Sequence, residues 1–392
     1  RVLLSEGTFT LSAPVVIDDN YVTLQGLGWR ATELRPATGV DPAQLILVGS
    51  AANIEYAAVL DMFLNGRTDA EAHAAGDGLT FHSNGGVVRN LWIQRMAGDG
   101  VNVNGFGGAD VFENLFENVI VNKPQGDCFY IGSDCGDAEL IRCIAIGGNQ
   151  EGPPFGDYGF YVWGFNIKLL LCHAYYQQLA GLRTGNAGQE RIQVIGGHYE
   201  TCAQGLKIDA QSIANIIGIK ASNNTSQDIL IQGGSTFVTI TNCVLRSASG
   251  QNIYFDNADY CVLTGNVCIA ATVNSIRVDA SSNYNVIVGN QVDEVIRLDT
   301  ATNIVRDNMG FITENSGTGS IASGTTADVI AHGLDVTPTV DDISITLAEN
   351  PTADPGNIWV DTIGAANFTV RCRVNPGVSN LDFGWRVAAL YP

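Results

Sequence analysis

The 392-residue sequence predicts an all-β fold, a parallel β-helix followed by a small C-terminal β-sandwich. Three observations predict it. From about Asp77 to Met309 one phrase returns every 21 to 30 residues. Self-similarity at that period marks a solenoid, whose units bury their apolar faces only by stacking on one another. Within each phrase a short run alternates apolar and polar residues, as in Gly78-Leu79-Thr80-Phe81-His82 and Gly205-Leu206-Lys207-Ile208-Asp209, which is the period of a strand. After Asn308 the repeat stops and separate strands with hairpin-like turns take over.

Residues 1–76 read as a cap and first coils, with strands at Val15-Val16-Ile17 and Tyr21-Val22-Thr23-Leu24 before the Gly26-Leu27-Gly28 turn. The polar, Ala-rich stretch 67–75 reads as a loop or a single helical turn. Regular coils then run to about Gly310, interrupted by an insertion between Gly147 and Asp157. A second short run follows each first strand, marked by Asn or a small residue such as Asn90, Asn118, Cys143, Cys172 or Asn242. The β-helix is thus expected over 1–312. A Gly/Ser/Thr-rich linker is expected over 313–324, and a sandwich over 325–392.

Asp and Glu outnumber Lys and Arg 40 to 20, a formal charge of −20. Such a surface repels nucleic acid and anionic membranes, and neither is expected as a partner. No run of 18 apolar residues is present, so no membrane insertion is expected. Nine cysteines fall largely on the repeat, where a thiol packs as a small hydrophobe. Buried free thiols are the expected state, with a Cys128–Cys135 disulfide as the alternative.

The opening Leu4-x-x-Gly7-Thr8-Phe9-x-Leu11, followed by Val22-Thr23-Leu24-x-Gly26-x-Gly28, resembles the first coil of the pectate-lyase-like β-helix superfamily. That superfamily holds polysaccharide lyases, glycoside hydrolases, epimerases and bacteriophage tailspikes. His332-Gly333-Leu334, Pro338-Thr339, Trp359-Val360 and Phe383-Gly384-Trp385 resemble small β modules appended to virion fibres and spikes. The likeness to the tailspike-like branch implies a right-handed coil, which the general preference for right-handed crossovers also favours. It further implies a homotrimer on a virion surface or outside the cell, with a surface polysaccharide as partner. A fold of this kind hosts many chemistries and sometimes none.

With Leu79/Phe81, Val101/Val103, Phe129/Ile131, Phe160/Val162 and their equivalents as core, the alternate positions face solvent. The outward stripe reads His82, Asn104, Tyr130, Tyr161 with Trp163, Arg183, Lys207 with Asp209, and Gln232. It ends in Tyr254 with Asp256, Arg277 with Asp279, and Arg297 with Asp299. Flat rings and charged groups of this kind suit a glycan track, and His82, Tyr130, Tyr161, Trp163 and Tyr254 are the expected sugar-binding residues. Residues 126–200 hold 11 of the 32 aromatics, which centres the track mid-solenoid.

Glycoside cleavage needs two carboxylates at a defined separation. Neighbouring coils lie about 4.8 Å apart, so Asp256 and Asp279 suit a retaining pair of about 5 Å. Asp209 and Asp256, at about 10 Å, suit an inverting pair only marginally. A structural ladder of ion pairs and turns explains the same aspartates. Lyase chemistry needs a basic proton acceptor, and Arg183 and Lys207 are the candidates. No cofactor and no metal site is expected. Asp134, Asp137 and Glu139 offer oxygen ligands for calcium, and they also read as an acidic turn. The Gly-His-Gly and Arg-Ile-Lys motifs of polygalacturonase-like hydrolases are missing, since the chain has Gly197-His198-Tyr199 and Leu206-Lys207-Ile208 instead. His173/Tyr175 and His198/Glu200 stand where other second strands are apolar, as a buried polar stack or as an exposed register shift. The expected function is a glycan-binding spike that also cleaves its ligand if the candidate residues act. The alternatives are a secreted lyase or hydrolase, and an inert structural spike.

Overall fold

A computed structural model of the chain describes residues 1–66, 76–147, 157–185, 191–211, 213–246, 249–300, 302–348 and 353–389. The loop expected at 67–75 and most of the insertion after Gly147, Phe155 included, lie outside them. Each regular coil contributes one strand to a twelve-stranded parallel sheet and two to a 23-stranded parallel sheet. The first sheet runs from Val15–Ile17 to Ile296–Leu298, every strand hydrogen-bonded to its counterpart one coil away. No helix among the described residues is long and apolar enough to cross a membrane.

Alternation inside the first strands places the core. Leu79, Phe81, Val101, Val103, Phe129, Ile131, Phe160, Val162, Leu206 and Ile208 are fully buried. Phe129 and Phe160 stack in neighbouring coils with ring centroids 4.9 Å apart and planes at 14°. The corner between the two strands of the long sheet turns on one left-handed residue, Asn118 (φ 52°), Arg142 (φ 52°), Leu171 (φ 55°) or Asn242 (φ 55°). Asn pays least for that conformation among residues with a side chain, which explains its recurrence there. The next residue turns inward, giving a buried column of Cys143, Cys172 and Cys243. Further along, this corner column becomes Asn266, Asn290 and Asn308, each backbone N–H donating to the next Asn Oδ1 at 2.9–3.0 Å. All nine cysteines are buried and free, so Cys128 and Cys135 form no disulfide.

The stretch 313–324 is not a linker. Glu314–Ile321 is a strand, antiparallel to Leu381–Ala388, which also pairs with Ile343–Leu347. A second three-stranded sheet joins Ala327–Ala331, Asn367–Cys372 and Ile358–Asp361. The inner faces meet through Phe368 and Trp385, 5.7 Å apart edge to face. Glycine suits the first strand because a Cβ at Gly317 or Gly319 would strike the rings of Trp385 and Phe383 at 2.8 and 2.5 Å.

Candidate functional site

The strand register resolves the outward stripe into two columns. One runs through Asn102, Tyr130, Tyr161, Arg183, Lys207, Leu230, Tyr254, Arg277 and Arg297. Two residues later along each strand, the other carries Asp209, Gln232 and Asp256, with His82, Asn104, Trp163, Asp279 and Asp299 at the corresponding places. The two read as one stripe in the sequence because both alternate with the same core positions. Leu230, only 6 % exposed, interrupts the charged column.

The columns converge on Arg183. Its guanidinium carbon lies 5.2 Å from the Tyr158 ring centroid and 5.0 Å from that of Tyr161. Nη1 donates to the Tyr158 hydroxyl at 2.8 Å, and Nη2 pairs with Asp209 Oδ2 at 3.2 Å. Tyr161 in turn meets Tyr130 at 5.7 Å and Trp163 at 5.4 Å, both edge to face. Gly185 lies beside Trp163, Arg183 and Asp209. The Arg183 Nε is sealed from solvent without a hydrogen-bond partner. Lys207, one coil on, makes no ion pair among the described residues. Together these groups make a half-buried aromatic floor with one fixed cation, a surface suited to the face and hydroxyls of a sugar ring.

An acidic ladder beside this floor escaped the sequence reading. Asp77, Asp99 and Asp127 stand at the edge of successive coils, each Oδ1 accepting the backbone N–H of the next coil at 2.8–3.1 Å. The signal was present as a repeated Asp-Gly opening at Asp77-Gly78 and Asp99-Gly100. Burial, and then the Asp77 carboxylate, pushes Asp99 up to about 6. Burial, and then Asp99, pushes Asp127 up to about 8. Unfolded, Asp127 titrates near 3.8, so between that pH and about 8 the native chain holds a proton that the unfolded chain has lost. Stability therefore falls as pH rises through that window and levels off above it. Asp127→Asn keeps an acceptor for the Tyr158 N–H and is expected to flatten the fall. Urea unfolding at steps of pH across the window measures this, and an unchanged slope would remove Asp127 as its source.

Toward the C-terminal coils, Arg277 lies 4.9 Å from the Tyr254 centroid and 3.5 Å from Asp299 Oδ2, which Arg297 also meets at 3.0 Å through the other oxygen. Asp279 accepts from Ser282 Oγ at 2.8 Å and Ser281 Oγ at 2.9 Å, and although partial burial opposes it, these bonds hold its carboxyl below the usual range. Asp256 is shifted the other way, first by burial and then by Asp279. Asp209 stays two coils from Asp256, with Gln232 between. His82 is held by its Nδ1 on the Gly49 carbonyl at 2.8 Å, several coils from Arg183.

His173 and His198 form neither a buried stack nor a register shift. They continue the column of Ile144 in regular register, outward and half-buried, while Ala145, Ala174 and Tyr199 fill the core. The carboxylates Asp134, Asp137 and Glu139 do not converge. Glu139 pairs with Lys168 Nζ at 2.7 Å, Asp137 accepts from Asn166, and Asp134 accepts from Ser133 Oγ at 3.1 Å. Among the described residues, the group placed to share a cation is His173, His198 and Glu200, which local sequence spacing could not reveal across a 25-residue coil.

The stacked coils and the two appended sheets define a parallel β-helix followed by a small sandwich-like β module. Among solved structures it resembles the A-module of mannuronan C-5 epimerase AlgE6 from Azotobacter vinelandii, at 13% identity over 79% of this chain and 90% of that one, with a TM-score of 0.64. It also resembles the Dettilon tailspike protein, at 10% identity over 98% of this chain and 87% of that one, with a TM-score of 0.67. A third similar fold is the enzymatically active domain of bacteriophage CBA120 tailspike protein 2, at 9% identity, 97% and 65% coverage and a TM-score of 0.52. No protein-family model and no curated protein sequence matches the chain.

Proposed function

We propose that this chain is the glycan-binding solenoid of a tailspike-like spike, carried on a virion surface or outside the cell. The single observation that carries the reading is the Arg183-centred floor of Tyr130, Tyr158, Tyr161 and Trp163, set on an outward column that continues from coil to coil. Polar and aromatic groups recurring at the coil spacing suit a polymer laid along the solenoid, with His82 and Tyr254 as outlying contacts. The surface charge of −20 favours a neutral or locally neutralised glycan, with Arg183 and Lys207 receiving any uronate. A glycan array read with the intact chain tests this, and silence on every surface polysaccharide would overturn it.

A second reading, cleavage of the bound glycan, is favoured by Asp256 and Asp279. The two carboxylates sit in adjacent coils with protonation pushed in opposite directions, the division of labour that an acid and an ionised partner require. In that reading Asp256 is the proton donor and Asp279 the ionised partner. Asp209 is held by Arg183 and would orient it, and Lys207 is the candidate proton acceptor of a lyase branch. New reducing ends, or unsaturated products, from the array's ligand would distinguish cleavage from binding alone.

The proposal includes a homotrimer. Phe237, Tyr260 and Tyr284 form an exposed stack with centroids 5.5 and 5.1 Å apart, each ring about half open to solvent. Apolar rows of that kind on a solenoid flank suit burial against a second copy. Light scattering at micromolar concentration is expected to give three times the 41.6 kDa chain mass. A monomer at that concentration would remove the trimer.

A further inference from the structure

We propose that His173, His198 and Glu200 bind a divalent transition metal of the zinc class, with a fourth coordination position open to the adjoining cleft. The site lies on the long sheet, on strands His173–Tyr175 and His198–Glu200, whereas the Arg183 floor lies on the twelve-stranded one.

The coil geometry assembles the ligands. His173 and His198 are register partners on adjacent parallel strands, and their rings stack at 5.1 Å with planes 13° apart. Glu200 follows His198 by two residues and so projects from the same face. Its two oxygens reach the two imidazoles separately, Oε1 at 3.2 Å from His173 Nε2 and Oε2 at 3.3 Å from His198 Nε2. A tetrahedral metal with bonds of about 2.0–2.1 Å sets its ligands about 3.3–3.4 Å apart, so a metal taking one Glu200 oxygen finds one His–Glu edge already at the required length. The ligand atoms of all three residues lie within 4.8 Å of one another. Closing the remaining edges thus takes side-chain movements of about 1.5 Å or less. The side chains are free to make them, with 25–31% of their surface exposed.

The donor set decides the ion. Two imidazole nitrogens and one carboxylate suit zinc and its neighbours, whereas calcium and magnesium take oxygen ligands. Three protein ligands leave a tetrahedral ion one position for water or an incoming oxygen. That position faces a cleft of about 400 Å³ lined also by Ile144, Tyr175, Tyr176, Thr201 and Asn223. Without metal, His173 Nε2 donates to Glu200 Oε1 at 3.2 Å and His198 Nε2 shares a hydrogen bond with Ser222 Oγ at 3.1 Å, so the response to added ion separates the two states.

The test uses the full chain, stripped with chelator and free of any histidine tag, titrated with zinc in a calorimeter. One ion per chain at micromolar affinity is expected, with a rise in melting temperature. Cobalt in its place should give the intense visible absorption of a tetrahedral site. His173→Ala, His198→Ala and Glu200→Gln should each weaken uptake at least tenfold and abolish the cobalt band. All three side chains point outward, so the variants should melt like the metal-free parent. Should one fail to fold, the other two carry the test. No uptake by the parent chain, or uptake that survives all three substitutions, overturns the proposal; the second outcome would assign the ion to a site elsewhere on the chain.

Discussion

Arg183→Ala is expected to weaken binding of the array-selected glycan by about 30-fold, about 2 kcal/mol, while the chain stays folded. The size follows from how many contacts one side chain organises. It lies on the faces of Tyr158 and Tyr161, donates to the Tyr158 hydroxyl at 2.8 Å and pairs with Asp209 at 3.2 Å. Its loss frees both rings to rotate and leaves Asp209 without its guanidinium partner. Arg183→Lys keeps the charge but neither the planar stack nor the forked donors, and should fall between the two. Tyr161→Ala and Trp163→Ala should lose affinity with unchanged melting temperature. Calorimetric titration of the four chains makes the comparison, and equal affinity in Arg183→Ala would remove the floor as the binding site.

Phe160→Ala is expected to cost about 3–5 kcal/mol of unfolding free energy. The ring is fully buried and stacked on Phe129 of the preceding coil at 4.9 Å. Each coil of a solenoid contacts only its neighbours, so a cavity here weakens the interfaces on both sides of coil Tyr158–Val162. That coil also carries Tyr161, so the substitution should reduce glycan binding through loss of order and not of contact. Denaturant unfolding followed by tryptophan fluorescence measures the cost; a change below about 1 kcal/mol would mean that neither the stack nor the volume of the ring holds these coils together.

How far the sequence was legible depended on strand length and on what lies outside each strand. First strands were readable because core pairs such as Leu79/Phe81 and Ile276/Val278 alternate with Thr80 and Arg277, which are polar. Second strands misled because three residues define no period, and here the outer residues are the larger hydrophobes. Ile144 and Ile146 are half-buried outside, while small Ala145 is the core residue. His173 and Glu200 therefore looked like polar groups in an apolar interior, when they occupy the outer row. The strand Glu314–Ile321 looked like a linker because its glycines serve the rings of Trp385 and Phe383, a contact 64 or more residues away. Of the candidate site, alternation placed Tyr130, Tyr161, Trp163, Arg183 and Asp209 on the outward face. Asp127 and Tyr158 were not, because they precede the alternating core.

The buried thiols give unfolding a direction. Nine cysteines sit in the interior as thiols, and burial pushes the acidity of Cys135 and Cys202 up to about 12. Folded, they are inert toward oxidants, since the reactive thiolate is suppressed and sealed from solvent. Once a coil opens in an oxidising medium, thiols that the fold keeps as thiols become free to cross-link at random. The native chain is then replaced by species that cannot wind back, and durability becomes a matter of rate more than equilibrium. The Phe160 comparison is accordingly reversible only with a reductant present.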